Sequence, residues 1–156
     1  MRGLKRDPAL VPLSRDHHFT LRQALWLRRA AGASDAGAAA RVARDYIAFH
    51  RDELVPHMAD EESTVFLAFE RNDPAGTERL RGEHREIDAL TSRLRSRLDG
   101  ADDPRPLMGE IASLLDDHVR YEERAYFMAV QEGLPASVLI AIGEAVARRP
   151  RVCPTR

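Results

Sequence analysis

The chain has 156 residues, 44% of them apolar and 31% charged, with a formal net charge of −1 and a single cysteine. That length suits one domain with a substantial core, read here as 1–150 with a mobile tail at 151–156, and the balanced charge argues against a nucleic-acid footprint. Cys153 alone excludes an internal disulfide framework or a thiolate metal cluster, and no segment is long and apolar enough to span a membrane.

Turn-forming clusters at 31–37, 72–76, 99–106 and 132–135 separate stretches rich in Ala, Leu, Arg and Glu. The pattern predicts helices at 14–30, 36–71, 75–98, 105–131 and 136–148, and no stretch alternates like a strand. The expected fold is all-α: an up-down-up-down antiparallel four-helix bundle with a short fifth C-terminal helix packed along or across it. The opening "MRGLKRDPALVP" lacks the apolar run of a signal peptide, so a cytoplasmic location is expected.

The first helix contains "SRDHHFTLRQALWL". At 100° per residue, His17 points with Leu13, Leu21, Ala24 and Leu25, whereas His18 lies towards the edge of that face. Phe19 and Trp26 fall on the other side. The second helix has an unusually polar inner row: Tyr46, His50, Glu53, His57, Glu61, Thr64 and Ala68. His50 reads as a core or supporting histidine with Glu53 as its partner. Pro56 has no N–H, should free the carbonyl of Asp52, and predicts a bend just before His57. In the third helix His84 joins the stripe of Leu80, Ile87, Thr91, Leu94 and Leu98. In the fourth, the row Leu107, Ile111, Leu114, His118, Glu122, Ala125 and Met128 places His118 and Glu122 inward.

Two segments echo each other. "HMADEESTVF" (57–66) and "HVRYEERAYF" (118–127) both spell His, three residues, Glu-Glu, three residues, Phe. Residues four apart share a helix face, so His57 with Glu61, and His118 with Glu122, can converge on one centre. Each half of the chain then offers an inward His on its first helix and His-x-x-x-Glu on its second. Two His and a carboxylate per half, with each Glu able to bridge, suit a pair of Fe or Mn ions.

The pattern D-H, H-x-x-x-E-E, E-H, H-x-x-x-E-E over roughly residues 10–131 resembles the hemerythrin-like (HHE cation-binding) family. The resemblance implies a non-heme di-iron centre in a four-helix bundle, with His17, His57, Glu61, His84, His118 and Glu122 at the matched ligand positions. Iron is expected ahead of manganese or zinc. The rival Glu-x-x-His pattern of ferritin-like proteins is missing, since no His has a Glu three residues before it.

The chain departs from the oxygen carriers of that resemblance. Their third ligand helix bears two His one turn apart, where this chain has Leu80 before and Asp88 after His84. They also place the last carboxylate five residues after its His, which would be Glu123 here, whereas the HHE relatives favour Glu122. The implied function is therefore binding or sensing of oxygen, nitric oxide or iron rather than reversible oxygen carriage. An oxidoreductase acting on oxygen, peroxide or nitric oxide is the second reading, and a metal-free structural bundle the third. A small diatomic ligand or peroxide is the expected partner, with no nucleic acid and no membrane.

Overall fold

A computed structural model describes residues 5–150, and the Cys153 tail lies outside them. The described chain is all-helical, with five helices and no strand among its residues. We label them α1 (Val11–Ala31), α2 (36–69), α3 (Pro74–Asp99), α4 (105–133) and α5 (Ala136–Ala147). Their ends follow local chemistry. Asp35 caps α2 by accepting from the Ala38 N–H at 3.0 Å, and Asp73 caps α3 by accepting from the Gly76 N–H at 2.9 Å. Gly76 is required there, because a Cβ would meet the Asp73 carboxylate at 2.1 Å and the Tyr121 hydroxyl at 2.8 Å. Proline opens α1, α3 and α4 within the first two positions, where its missing N–H costs nothing.

The helices pack as a bundle in which α1 lies along α4, α4 along α3, α3 beside α2 and α2 beside α1. No helix is long and apolar enough to cross a membrane. Two apolar clusters fill the interior. One gathers Leu27, Tyr46, Met58, Ile87, Met108 and Leu115 with their neighbours. The other gathers Leu13, Phe66, Leu80, Tyr126, Phe127 and the buried face of α5, through Leu139, Ile142 and Val146. Along every long helix, the inward His falls between a member of the first cluster and a member of the second. The bundle therefore holds a polar layer sandwiched between two dry ones.

Three π turns interrupt the long helices: His50–Leu54 and Glu62–Phe66 in α2, and Glu122–Tyr126 in α4. The first answers Pro56. The Val55 N–H reaches the His50 carbonyl, five residues back, and the widened turn accommodates the proline ring beside the Asp52 carbonyl. The other two change the helix phase by one residue. Beyond Glu61 the inner row passes to Val65, Phe66 and Phe69 instead of the expected Thr64 and Ala68. Beyond Glu122 it passes to Tyr126, Phe127 and Val130, leaving Ala125 exposed and Met128 half-buried. Leu114 also gives up its expected core place to Leu115.

Candidate metal centre

The structure brings His17, His57, Glu61, His84, His118 and Glu122 together in the polar layer, none of them more than 5% exposed. Their donor atoms form two groups, each within 4.8 Å: His17, His57, Glu61 and Glu122, and then Glu61, His84, His118 and Glu122. Glu61 and Glu122 belong to both. Each group thus combines two imidazoles with the same two carboxylates, the imidazoles of one group coming from α1 and α2 and those of the other from α3 and α4. The imidazoles pair accordingly, with ring centroids 4.9 Å apart for His17 and His57 and for His84 and His118.

The donors aim at common points rather than at each other. His57 Nε2 is 3.0 Å from Glu61, His17 Nε2 3.0 Å from Glu122, and His84 and His118 Nε2 3.3 Å from Glu61 and Glu122. Despite these distances, Nε2 of His17, His57 and His84 and all four oxygens of Glu61 and Glu122 have no hydrogen-bond partner. Leaving buried polar atoms unsatisfied costs about 1–3 kcal/mol each. A cation at each focus would satisfy the whole set, and the N/O donor chemistry fits a divalent or trivalent transition metal.

The electrostatics agree. Burial alone would strip the charge from His17, but Glu122, Glu123 and Glu61 outweigh it and hold the imidazole well above its usual pKa. Burial likewise opposes charge on His57, yet Glu61 and Asp16 push it up to about 9. His84 is also raised against burial, by Glu61, Glu122 and Glu62. Glu61 is held well below the carboxylate range, despite its burial, by His57, His17 and His84. The carboxylates draw positive charge into this layer, and protons supply it where metal does not.

Outside this set stand four more carboxylates, among them Glu123, the alternative to Glu122 as last ligand. Nδ1 of His17 lies 2.6 Å from Glu123, of His57 3.1 Å from Asp16, of His84 2.7 Å from Glu62, and of His118 2.8 Å from Glu83. Every imidazole of the layer thus has a carboxylate on its far nitrogen. The signal was present in the chain: each such acid is the sequence neighbour of a candidate ligand, in Asp16-His17, Glu61-Glu62, Glu83-His84 and Glu122-Glu123. The phenylalanines of the two echoing segments have places as well. Phe66 stacks on His84 at 5.3 Å and Phe127 on His17 at 5.6 Å.

The remaining polar residues fall elsewhere. His18 is exposed, so His17→Ala is expected to impair metal loading at least about tenfold while His18→Ala leaves it unchanged. Metal titration of the two variants checks this, and the reverse order would place the wrong face of α1 inward. His50 pairs with Asp88 of α3 at 2.7 Å, not with Glu53. Asp88 is thereby engaged outside both donor groups, and Leu80 is fully buried in the second apolar cluster. Neither supplies an additional ligand on α3. The guanidinium of Arg22 lies 5.1 Å from the ring centroids of both Phe19 and Trp26. A cavity of about 200 Å³ opens against His57, with Phe19, Thr20, Phe49 and Leu54 among its walls and Arg149 at its edge, ion-paired to Asp60 at 2.5 Å.

Comparison with curated proteins and with solved structures gives no match. The family model for the hemerythrin HHE cation binding domain matches residues 10–130, a span that contains all six candidate ligands and the four acids behind them. The chain belongs to the hemerythrin HHE cation-binding family.

Proposed function

We propose that this chain is a cytoplasmic, non-heme di-iron protein whose four long helices form an up-down-up-down bundle, and that it binds or senses oxygen, nitric oxide or iron. The observation that carries this reading is the sharing of Glu61 and Glu122 between two donor groups of equal composition. Two carboxylates common to two pairs of imidazoles suit a pair of ions better than one. Thiolate is missing from both groups, which favours iron or manganese over soft-metal chemistry, with zinc a further competitor. Bound there, two iron ions would supply one-electron redox chemistry and open coordination positions for a small ligand. The chain's own residues would hold the ions with Nε2 of His17, His57, His84 and His118 and the carboxylates of Glu61 and Glu122. Phe66 and Phe127 close the layer against water from the side of α5.

The balance of ligands argues against reversible oxygen carriage. Leu80 and Asp88 leave the α3–α4 group with two imidazoles, like its counterpart, so neither ion gains an extra neutral nitrogen. The surrounding carboxylates favour the higher metal charge. Elemental analysis after anaerobic iron loading is expected to give two ions per chain. Exposure of the ferrous protein to air should produce a ferric spectrum that deoxygenation does not reverse. One ion or fewer would refute the dinuclear reading, and a spectrum that cycles with oxygen would restore the carrier reading. The cavity beside His57 favours one second reading, an oxidoreductase acting on oxygen, peroxide or nitric oxide. Turnover assays with each of these substrates distinguish it from a sensor. Nucleic acid and membrane have no part in either reading.

A further inference from the structure

The four carboxylates behind the imidazoles are arranged in order. His17 on α1 is held by Glu123 on α4, His118 on α4 by Glu83 on α3, His84 on α3 by Glu62 on α2, and His57 on α2 by Asp16 on α1. Each helix orients the imidazole of one neighbour and has its own oriented by the other, so the contacts close into a one-way circuit around the bundle. We propose that Asp16, Glu62, Glu83 and Glu123 form a ring of positioning residues that fixes all four imidazoles with Nδ1–H outward and Nε2 inward, and biases the bound metal towards its higher oxidation state. This rests on the metal-binding reading above and extends it to residues outside the two donor groups.

The chemistry follows from the contacts. An imidazole that donates its Nδ1–H to a carboxylate keeps the Nε2 lone pair free, and the anionic acceptor makes that nitrogen a stronger donor. One such partner is a common accessory of a metal-bound histidine; here all four imidazoles have one. Together with Glu61 and Glu122, six carboxylates surround four imidazoles, an excess of negative charge that favours the more highly charged state of a bound metal. Glu123 and Glu83 are themselves ion-paired, with Arg6 at 2.8 Å and Arg79 at 2.9 Å, which fixes their positions and offsets part of their charge. Glu62 has a side chain 45% exposed and makes no arginine ion pair among the described residues, so its charge acts on His84 with less offset. Its exposure also makes it the position where substitution disturbs the core least.

The test uses Glu62→Gln, which keeps an acceptor oxygen but removes the charge, and Glu62→Ala, which removes both. Glu86→Gln, on the exposed face of α3, serves as a control for loss of a surface charge. In the full chain loaded with zinc, which has no redox chemistry, chelator competition should show affinity about 10–100-fold weaker for Glu62→Ala and a smaller loss for Glu62→Gln. The Nδ1–H proton of His84 should remain visible by NMR in Glu62→Gln and exchange with water in Glu62→Ala. In the iron-loaded chain both Glu62 variants should show a higher reduction potential than wild type, with Glu86→Gln close to wild type. Unchanged zinc affinity in Glu62→Ala overturns the ring, as does a potential in Glu62→Gln equal to that of wild type or of Glu86→Gln. Failure of the wild-type chain to bind either metal would instead refute the function proposed above; normal wild-type binding with insensitive Glu62 variants refutes the ring alone.

Discussion

If the proposed dinuclear centre forms, Glu61→Ala is expected to cost the chain both metal ions, whereas His118→Ala should cost chiefly one. Glu61 is fully buried and belongs to both donor groups, while His118 belongs to one. Loss of a partner outside the ligands already weakens metal sites by about 10–100-fold, so loss of a shared ligand should exceed the upper end of that range. The substitution also removes one of the anions that raise His17, His57 and His84 above their usual pKa values. The site then lacks both the bridging oxygens and the field that draws cations in. Elemental analysis after dialysis against a weak chelator would read the stoichiometry, with circular dichroism to confirm that the helices persist. Two ions retained by Glu61→Ala would mean that the groups do not depend on a shared carboxylate.

Removing metal should lower the melting temperature, and by an amount that grows with pH. A ligand at about 1,000 times its dissociation constant stabilises the folded state by roughly 4.1 kcal/mol. At about 2–4 °C per kcal/mol for a chain of this size, chelation should lower the midpoint by roughly 8–16 °C. The pH dependence follows from the imidazoles. His57 is raised to about 9 in the folded chain without metal, against about 6.5 when unfolded. Its proton therefore contributes stability that is fully present below about pH 6.5 and is lost as pH rises through about 9. Metal loading runs the other way, because Nε2 must be free of its proton to bind. The gap between metal-loaded and chelated midpoints should widen from pH 6.5 to 9. Paired calorimetric scans across that interval would show it, and a gap independent of pH would mean that proton and metal do not compete for the same nitrogen.

How far the sequence reveals this molecule depends on which forces act locally. Helix ends were legible to within a few residues because Gly, Pro, Asn and Asp act within one turn of their own position, as Asp35 and Asp73 do in capping α2 and α3. That His17 rather than His18 faces the layer was legible because one residue turns a helix by 100°, and only one of the two can point inward. The same rule concealed the contacts of Glu62 and Glu123 with His84 and His17. Next to an inward glutamate they point sideways, and what lies sideways is another helix, which phase within one helix does not describe. His50 and Asp88 escaped for the same reason, since their bond joins α2 to α3. Pro56 announced the first π turn, but the other two left no mark in composition, because Glu-Ser-Thr-Val-Phe and Glu-Glu-Arg-Ala-Tyr carry no proline or glycine. They are imposed by packing, which needs Phe66 and Phe127 against imidazoles of other helices.

Those turns support the layer unevenly. His17 and His84 stand on uninterrupted α-helix. Glu61 directly precedes the π turn of α2, and Glu122 opens that of α4, so the regular α-helical ladder breaks beside both shared carboxylates. Such breaks recur at functional sites. The two residues common to both donor groups are thus the ones set where the backbone changes pitch, and the extra residue in each turn is what swings Phe66 and Phe127 onto imidazoles of other helices.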